Sequence, residues 1–325
     1  MTVLPHPALA LLPDDRAPPA RVIVLLATWN GAANLRAQLY SYRSQTLLPV
    51  RLIVSDDGST DDTRTILHAF AASDPGFAVD LLEGPQRGGA QNFLHLLKAV
   101  PEGADWVALS DQDDVWLPDK IARGVKCLSQ VPEGQAGLLG GRSYVCNAEL
   151  GQRHLSPLPR RAPSFRHALV QNFAGGNTMM LNRAGIDLVR AAAAEAGRIV
   201  VHDWWLYQLV SGAAGVVLFE PEALLLYRQH TANQIGANSG VEAKLKRLRW
   251  MLRGRFRRWN AINLAALRAS AHRFPPENRA LMEDFARLQR ADLIERLTIL
   301  RRLGLYRQGL QGTLSLWLAA AMGRI

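Results

Sequence analysis

The chain has 325 residues, of which 48% are hydrophobic and 20% charged, and its formal net charge is +10. This is a globular composition, long enough for one large domain or two of ordinary size. Its two cysteines, Cys127 and Cys146, show no CxxC spacing and no histidine partners, which argues against a disulfide scaffold or structural zinc and fits a reducing, cytoplasmic setting.

Residues 1–20 are proline-rich, carry Asp14 and Asp15, and lack a basic start and a small-residue cleavage site, so they read as a loose tail rather than a signal peptide. Arg21 to Ala27 (RVIVLLA) is a continuous apolar run, which predicts a buried strand. Thr28-Trp29-Asn30-Gly31 turns the chain into a helical pattern that lasts to about Gln45. Arg51 to Ser55 predicts a second strand, cut by Asp56-Asp57-Gly58-Ser59-Thr60-Asp61-Asp62, and a helix follows with Ile66, Leu67 and Phe70 on one face. A third short strand is expected over Phe77 to Leu82, a helix over Gly89 to Ala99, a fourth strand over Trp106 to Leu109, and a helix from near Pro118. Strands alternating with helices predict a parallel sheet in an α/β domain, whose ligands bind at the carboxyl ends of the strands.

From about Leu139 to Tyr227 the pattern is less regular, with short strands, a proline-rich loop over Ser156 to Pro163 and a Gly175-Gly176-Asn177 turn. After Gly240 the chain reads as helical and basic. Residues 241–325 hold 18 Lys and Arg against 6 Asp and Glu, a net of +12, whereas residues 1–240 sum to −2. Leu245, Leu248, Leu252, Phe256 and Trp259 recur at helical spacing, and Pro275-Pro276 precedes a helix carrying Leu281, Phe285 and Leu288. No run of 18 apolar residues occurs, so no membrane-spanning segment is expected.

The chemistry concentrates where the fourth strand gives out. Asp111, Asp113 and Asp114 lie within four residues, and on extended backbone Asp111 and Asp113 point the same way. Like charges so close raise each other's pKa unless a cation sits between them. Mg²⁺ or Mn²⁺, held by hard oxygen ligands and in turn holding a substrate phosphate, is the functional reading; a solvated turn that caps the next helix is the plain one. Asp57 is either an acceptor for a nucleobase N–H or part of ordinary turn chemistry. Asp203, followed by Trp204 and Trp205, would have a raised pKa suited to a general base if the indoles desolvate it. Arg228 and His230 form either a surface pair or a clamp on a diphosphate. Neither GxxxxGK[ST] nor GxGxxG occurs, which removes the P-loop and dinucleotide fingerprints, and Gly88-Gly89 is only a weak phosphate nest.

In this order the motifs resemble the family-2 glycosyltransferases of the GT-A fold, and within them the rhamnosyltransferase-type bacterial members that build surface polysaccharides. The resemblance runs from about Val22 to Asn233 and rests on Thr28-Trp29-Asn30, Val54 to Asp61, Ser110 to Trp116, His202 to Trp205 and Tyr227 to His230. It implies a GT-A domain over residues 21–238, followed by a basic helical extension over 239–325. It also implies a nucleotide-sugar donor with uracil or thymine, contacted by Thr28, Trp29, Asn30, Asp57, Asp111, Arg228 and His230. Asp111 and Asp113 would form the DxD motif, with Asp113 the direct ligand of Mg²⁺ or Mn²⁺ and Asp111 nearer the ribose. Asp203 would take the proton of an acceptor hydroxyl in one inverting displacement, with no covalent intermediate. Trp29 stands where many members have Tyr, and Ser55 where an apolar residue is commoner. The implied acceptor is a glycan or a polyprenyl-diphosphate-linked sugar, and nucleic acid is not an expected partner. The basic extension then has two readings: peripheral contact with the inner face of the cytoplasmic membrane, or helices packed on the catalytic domain with arginines facing water. A metal-dependent phosphohydrolase, or a non-catalytic basic binding protein on a degenerate scaffold, are the rival functions.

Overall fold

The computed structural model describes residues 21–229 and 254–325. The expected N-terminal tail, His230 and the expected domain boundary at 238/239 lie outside these residues.

The first four strands, β1 (Val22–Thr28), β2 (Arg51–Asp56), β3 (Ala78–Glu83) and β4 (Trp106–Ser110), pair in parallel in the order β3-β2-β1-β4. The helices between them, α1 (Ala32–Arg43), α2 (Thr63–Ala72) and α3 (Gly89–Lys98), supply the crossovers that parallel pairing requires. Alternation along β1 divides the core. Val22, Val24 and Leu26 pack with α1 and α2, while Ile23 and Leu25 face the side that holds α3. Each fully buried leucine contributes about 2 kcal/mol of transfer free energy, so β1, buried on both faces, anchors the sheet.

The sheet then turns mixed. β8 (Met180–Asn182) runs antiparallel to β4 and to β6 (Gly137–Cys146), β9 (Val216–Arg228) pairs in parallel with β6, and the short β5 (Val115–Trp116) closes that edge against β9. The two-residue β7 (His154–Leu155) pairs with β6 off this path. α4 (Lys120–Leu128), α5 (Phe165–Ala168), α6 (Arg183–Glu195) and α7 (His202–Gly212) complete this half.

This region is more regular than its sequence predicts, since β6 has 10 residues, β9 has 13 and α6 has 13. Glycines at 137, 140 and 141 hide the alternation in β6, and Glu220-Pro221-Glu222 interrupts β9. The pairing absorbs the interruption as a register shift between Gly141 and Arg142, the sort of irregularity where proline is tolerated in a strand. The alanine run at 191–194 belongs to α6 and places Ala192 and Ala193 in the core.

The C-terminal helices are α8 (Arg255–Ala269), α9 (Pro276–Leu288), α10 (Leu293–Leu303) and α11 (Leu310–Ala321). Leu267, Phe285, Leu303 and Leu316 join the same buried cluster as α3, α6 and α7. Asn263 accepts a hydrogen bond from Val200 N at 3.1 Å, and Arg273 forks onto Glu195 at 2.6 and 2.8 Å. These helices therefore pack on the sheet-bearing half through a shared core. Among the described residues no helix is long and apolar enough to cross a membrane.

Candidate active site

With the order β3-β2-β1-β4, successive strands leave β1 first on one side and then on the other. The crevice between the carboxyl ends of β1 and β4 is thus the topological switch point, where such sheets bind ligands. Thr28-Trp29-Asn30 ends β1, and Asp111 to Asp114 follow β4. Gln112, the middle residue of the DxD sequence, ties the two ends together: its Oε1 accepts from Trp29 N at 2.8 Å and its Nε2 donates to Trp29 O at 2.9 Å. A Cβ on Gly31 would lie 2.3 Å from that same Oε1, so the clamp requires glycine there. The backbone of Trp29 is fixed, while its side chain is left 60% exposed beside the crevice.

The turn after β2 forms one wall. Asp56 accepts from Thr28 Oγ1 at 2.8 Å, from Ser59 N at 2.9 Å and from Arg64 Nε at 2.8 Å. Burial pulls its carboxyl up, but the Ser59 and Arg64 donors outweigh this and hold it below the usual range. Asp57 is buried, with Oδ1 accepting from Gln86 N at 2.6 Å and Oδ2 from Gly88 N at 2.7 Å. A carboxylate has about four lone-pair sites, so each oxygen keeps capacity for one further donor. Asn30, at φ 47°, donates its N–H to Ser59 Oγ at 2.9 Å and accepts from Thr60 N at 2.8 Å. Thr28, Asn30 and Asp57 are thus brought together, the first two largely engaged in shaping the turn.

The other wall is acidic, and two of its carboxyls are held above the usual range. Burial pushes the Asp111 carboxyl well above the usual range, and the charges of Asp113, Asp114 and Asp203 push it further. Asp114 is fully buried, accepts from Asn177 Nδ2 and from Arg228 N at 3.1 Å, and is still pushed up to about 7 by burial and by Asp113. The cation that acts on both carboxyls is Lys120, at the start of α4. It is fully buried, its Nζ lies 3.1 Å from the Trp116 ring centroid, and that Nζ has no hydrogen-bond acceptor among the described residues. Burial drives the Lys120 pKa well below its ordinary value, against the pull of Asp114 and Asp111. Among the described residues, the Lys120 charge lowers both carboxyls but leaves Asp111 and Asp114 above the usual range.

Asp203 reaches this pocket from the far half of the sheet, on the first turn of α7. Burial raises its carboxyl to about 6, although N–H donors from Trp204 and Gly176 and the Asn172 side chain favour the charged form. The indoles anchor the helix: Trp204 Nε1 donates to Ala168 O at 2.7 Å and Trp205 is fully buried in the core. His202 stacks on Phe93 with ring centroids 3.6 Å apart, and burial lowers its pKa to about 3, so the ring is neutral. A Cβ on Gly176 would fall 2.0 Å from His202 Nε2, which makes glycine obligatory at this turn.

The 3₁₀ turn Gly176–Thr178 joins the two acidic elements, because Gly176 serves Asp203 and Asn177 serves Asp114. Arg228 is buried, and its side chain donates to the carbonyls of Asp113, at 2.9 Å, and Ala148. In this position it braces the DxD turn from behind. Sequence reasoning passed over Gln112, Lys120 and Asn177. The only local signal for the last was the paired glycine before it, and nothing local marks Lys120 as buried.

Among the described residues no three His, Cys, Asp or Glu side chains converge as a ready-made metal site. Asp111 and Asp113 nonetheless fit a divalent cation of the Mg²⁺ type, which takes one or two carboxylates and completes its shell with water and substrate phosphate. The charge of Asp113 raises the Asp111 carboxyl, and a cation held between them would offset that.

The model of the family described as Glycosyl transferase family 2 matches residues 23–187. The chain is 30% identical to the dTDP-rhamnosyl transferase RfbG of Shigella flexneri over 232 residues, covering 69% of this chain and 78% of RfbG. It is 28% identical over 174 residues to the succinoglycan biosynthesis protein ExoW of Rhizobium meliloti, covering 49% of this chain and 54% of ExoW. Among solved structures, S. aureus TarS 1–349 in complex with UDP-GlcNAc matches with a TM-score of 0.49 at 14% identity, over 88% of this chain and 93% of TarS 1–349. The chain belongs to glycosyltransferase family 2 and is a nucleotide-sugar glycosyltransferase of the GT-A fold.

Proposed function

We propose that the protein transfers a deoxyhexose, rhamnose in the first instance, from a dTDP- or UDP-linked donor to a hydroxyl of a glycan or polyprenyl-diphosphate-linked acceptor, on the cytoplasmic side of the membrane and with inversion at the anomeric carbon. The observation that carries this reading is the pairing of Asp203, a carboxyl raised to about 6, with the DxD turn after β4, where Asp111 is held well above the usual range and feels the Asp203 charge. The similarity to RfbG supports rhamnose and thymidine, and the similarity to ExoW supports polysaccharide synthesis.

In this mechanism Trp29 offers a face for the base and Asp57 accepts its N–H. Asp111 and Asp113 would hold Mg²⁺ or Mn²⁺, which supplies Lewis-acid stabilisation of the departing diphosphate. Asp203 accepts the proton of the acceptor hydroxyl as its oxygen attacks the face opposite the leaving group. The carboxyl is well suited to this, because a base with pKa near 6 is ionised at neutral pH and is stronger than an ordinary aspartate. Arg228 and Asn177 keep the DxD turn and the base in register. No nucleophilic side chain is required.

Incubation with dTDP-β-L-rhamnose and a lipid-linked glycan primer, followed by NMR of the product, tests the reading. An α-linked rhamnoside is expected. A retained β linkage, or release of free phosphate without acceptor glycosylation, would remove the inverting transfer from consideration.

A further inference from the structure

The last helix, α11, is apolar on the side that ought to be polar. Leu316, Ala319 and Ala320 face the core, yet Leu310, Leu314, Leu318 and Met322 are 75%, 59%, 53% and 39% exposed. These four residues step by four and form one stripe about 18 Å long. No charged residue occurs between Leu310 and Met322, whereas a surface helix ordinarily sets charge opposite its buried face. Arg296 donates to the carbonyls of Ala320 at 3.1 Å and Ala321 at 3.4 Å, which sets the first turn of α10 against the last turn of α11. Leu293 and Ile294, 50% and 80% exposed, therefore lie at the same end of the molecule.

The surroundings of this stripe are cationic. Residues 292–325 contain Arg296, Arg301, Arg302, Arg307 and Arg324 against Asp292 and Glu295, and Glu295 is paired with Arg287 at 2.5 Å. Arg324 is exposed just past Met322, and Arg160 reaches within 3.9 Å of a Cβ built on Gly309, just before Leu310. Arg301 and Arg302 are exposed at the end of α10; Arg302 pairs with Asp284 of α9 at 2.8 Å. A second copy seated symmetrically on this face would set one arginine rim against another. An anionic lipid surface satisfies both features, because the leucines enter the boundary between headgroups and acyl chains while the arginines meet lipid phosphates.

We propose that the outward face of α11, with its arginine rim, is a docking surface for an anionic bilayer. It deepens the lipid-linked acceptor reading and rests on it only for its purpose; binding itself requires neither donor nor acceptor.

The test is flotation of the full chain with vesicles of phosphatidylcholine alone or with phosphatidylglycerol, for wild type, Leu314→Glu/Leu318→Glu and Arg301→Glu/Arg324→Glu. The wild type is expected to partition at least tenfold more strongly onto the anionic vesicles, and each double variant to lose at least tenfold of that binding. The melting temperature, the elution volume and the thermal shift given by dTDP with Mn²⁺ are expected to be unchanged. Absence of wild-type flotation, or equal flotation of the leucine variant, overturns the proposal. So does a wild-type dimer that the leucine variant splits, which gives the face to a second copy. A large fall in melting temperature in both the leucine variant and Leu314→Ser/Leu318→Ser overturns it as well, since the chain itself would then cover the stripe. The nucleotide shift reports on the catalytic reading separately, so the two can fail independently.

Discussion

Two groups of aspartates line the same crevice and have opposite electrostatic fates. After β2, the buried Asp56 and the exposed Asp61 each collect several protein donors, and both carboxyls are held below the usual range. After β4, Asp111 and Asp114 are driven up by burial and by the charge of Asp113, and Asp203 joins them from α7. The residue type is the same and the supply of donors differs. The first group stabilises the folded turn, whereas ionising the second is costly in the ligand-free protein, and in the proposed mechanism a metal–diphosphate would offset that cost.

The sharpest way to break the contrast is Asp203→Asn, which keeps the shape and removes the proton acceptor. Turnover is expected to fall about 10²–10⁴-fold, with nucleotide binding retained, as read by steady-state kinetics beside a nucleotide thermal shift. The acid limb of the wild-type kcat/KM profile should lie near pH 6 and be absent from the residual activity of the variant.

Asp111→Asn comes next. It relieves a buried, crowded carboxylate, so the ligand-free protein should gain about 1–2 kcal/mol in denaturant unfolding at neutral pH while transfer is lost. A destabilised Asp111→Asn would mean that the pocket is not frustrated.

The pH dependence of stability separates the groups further. Raised carboxyls bind protons more tightly when folded, so Asp114 and Asp203 favour the fold at low pH and lose that contribution as pH rises from about 4 to about 7. Asp56 and Asp61 act in the other direction. Their contribution is complete above the ordinary aspartate range and disappears as pH falls through their lowered pKa values. Melting curves of Asp203→Asn should therefore fall less between pH 4 and 7 than those of wild type.

The smallest effect is expected at Asp61, which accepts from Ala32 N at 3.1 Å and Thr63 N at 3.0 Å and so serves the first turns of α1 and α2. Asp61→Ala should cost about 1 kcal/mol in unfolding and leave kcat within a few-fold of wild type.

The parts of this arrangement legible in the sequence were those written locally. The strand runs of β1, β2 and β4 and the acidic turns after them announce themselves within eight residues, because a buried parallel strand is a continuous apolar run and its carboxyl end is where polarity returns. What joins the turns was not legible. Gln112 holds Trp29 across 83 positions, and Asn177 holds Asp114 across 63. Arg228 reads in sequence as either half of a surface pair or a diphosphate clamp; its burial against the carbonyls of Asp113 and Ala148 is set by the parallel pairing of β9 with β6. Lys120 reads as a solvated lysine at a helix start until the packing of Trp116 encloses it.

The most direct measurement of the central claim is the thermal shift of wild type and Asp113→Asn with dTDP, UDP and GDP, each with and without Mn²⁺. If the pocket after β4 holds its charge for a metal–diphosphate, dTDP or UDP with Mn²⁺ will raise the melting temperature of wild type by several degrees. Nucleotide or metal alone will do little, and Asp113→Asn will not respond. A nucleotide shift of equal size without metal, or one that survives in Asp113→Asn, would contradict the account.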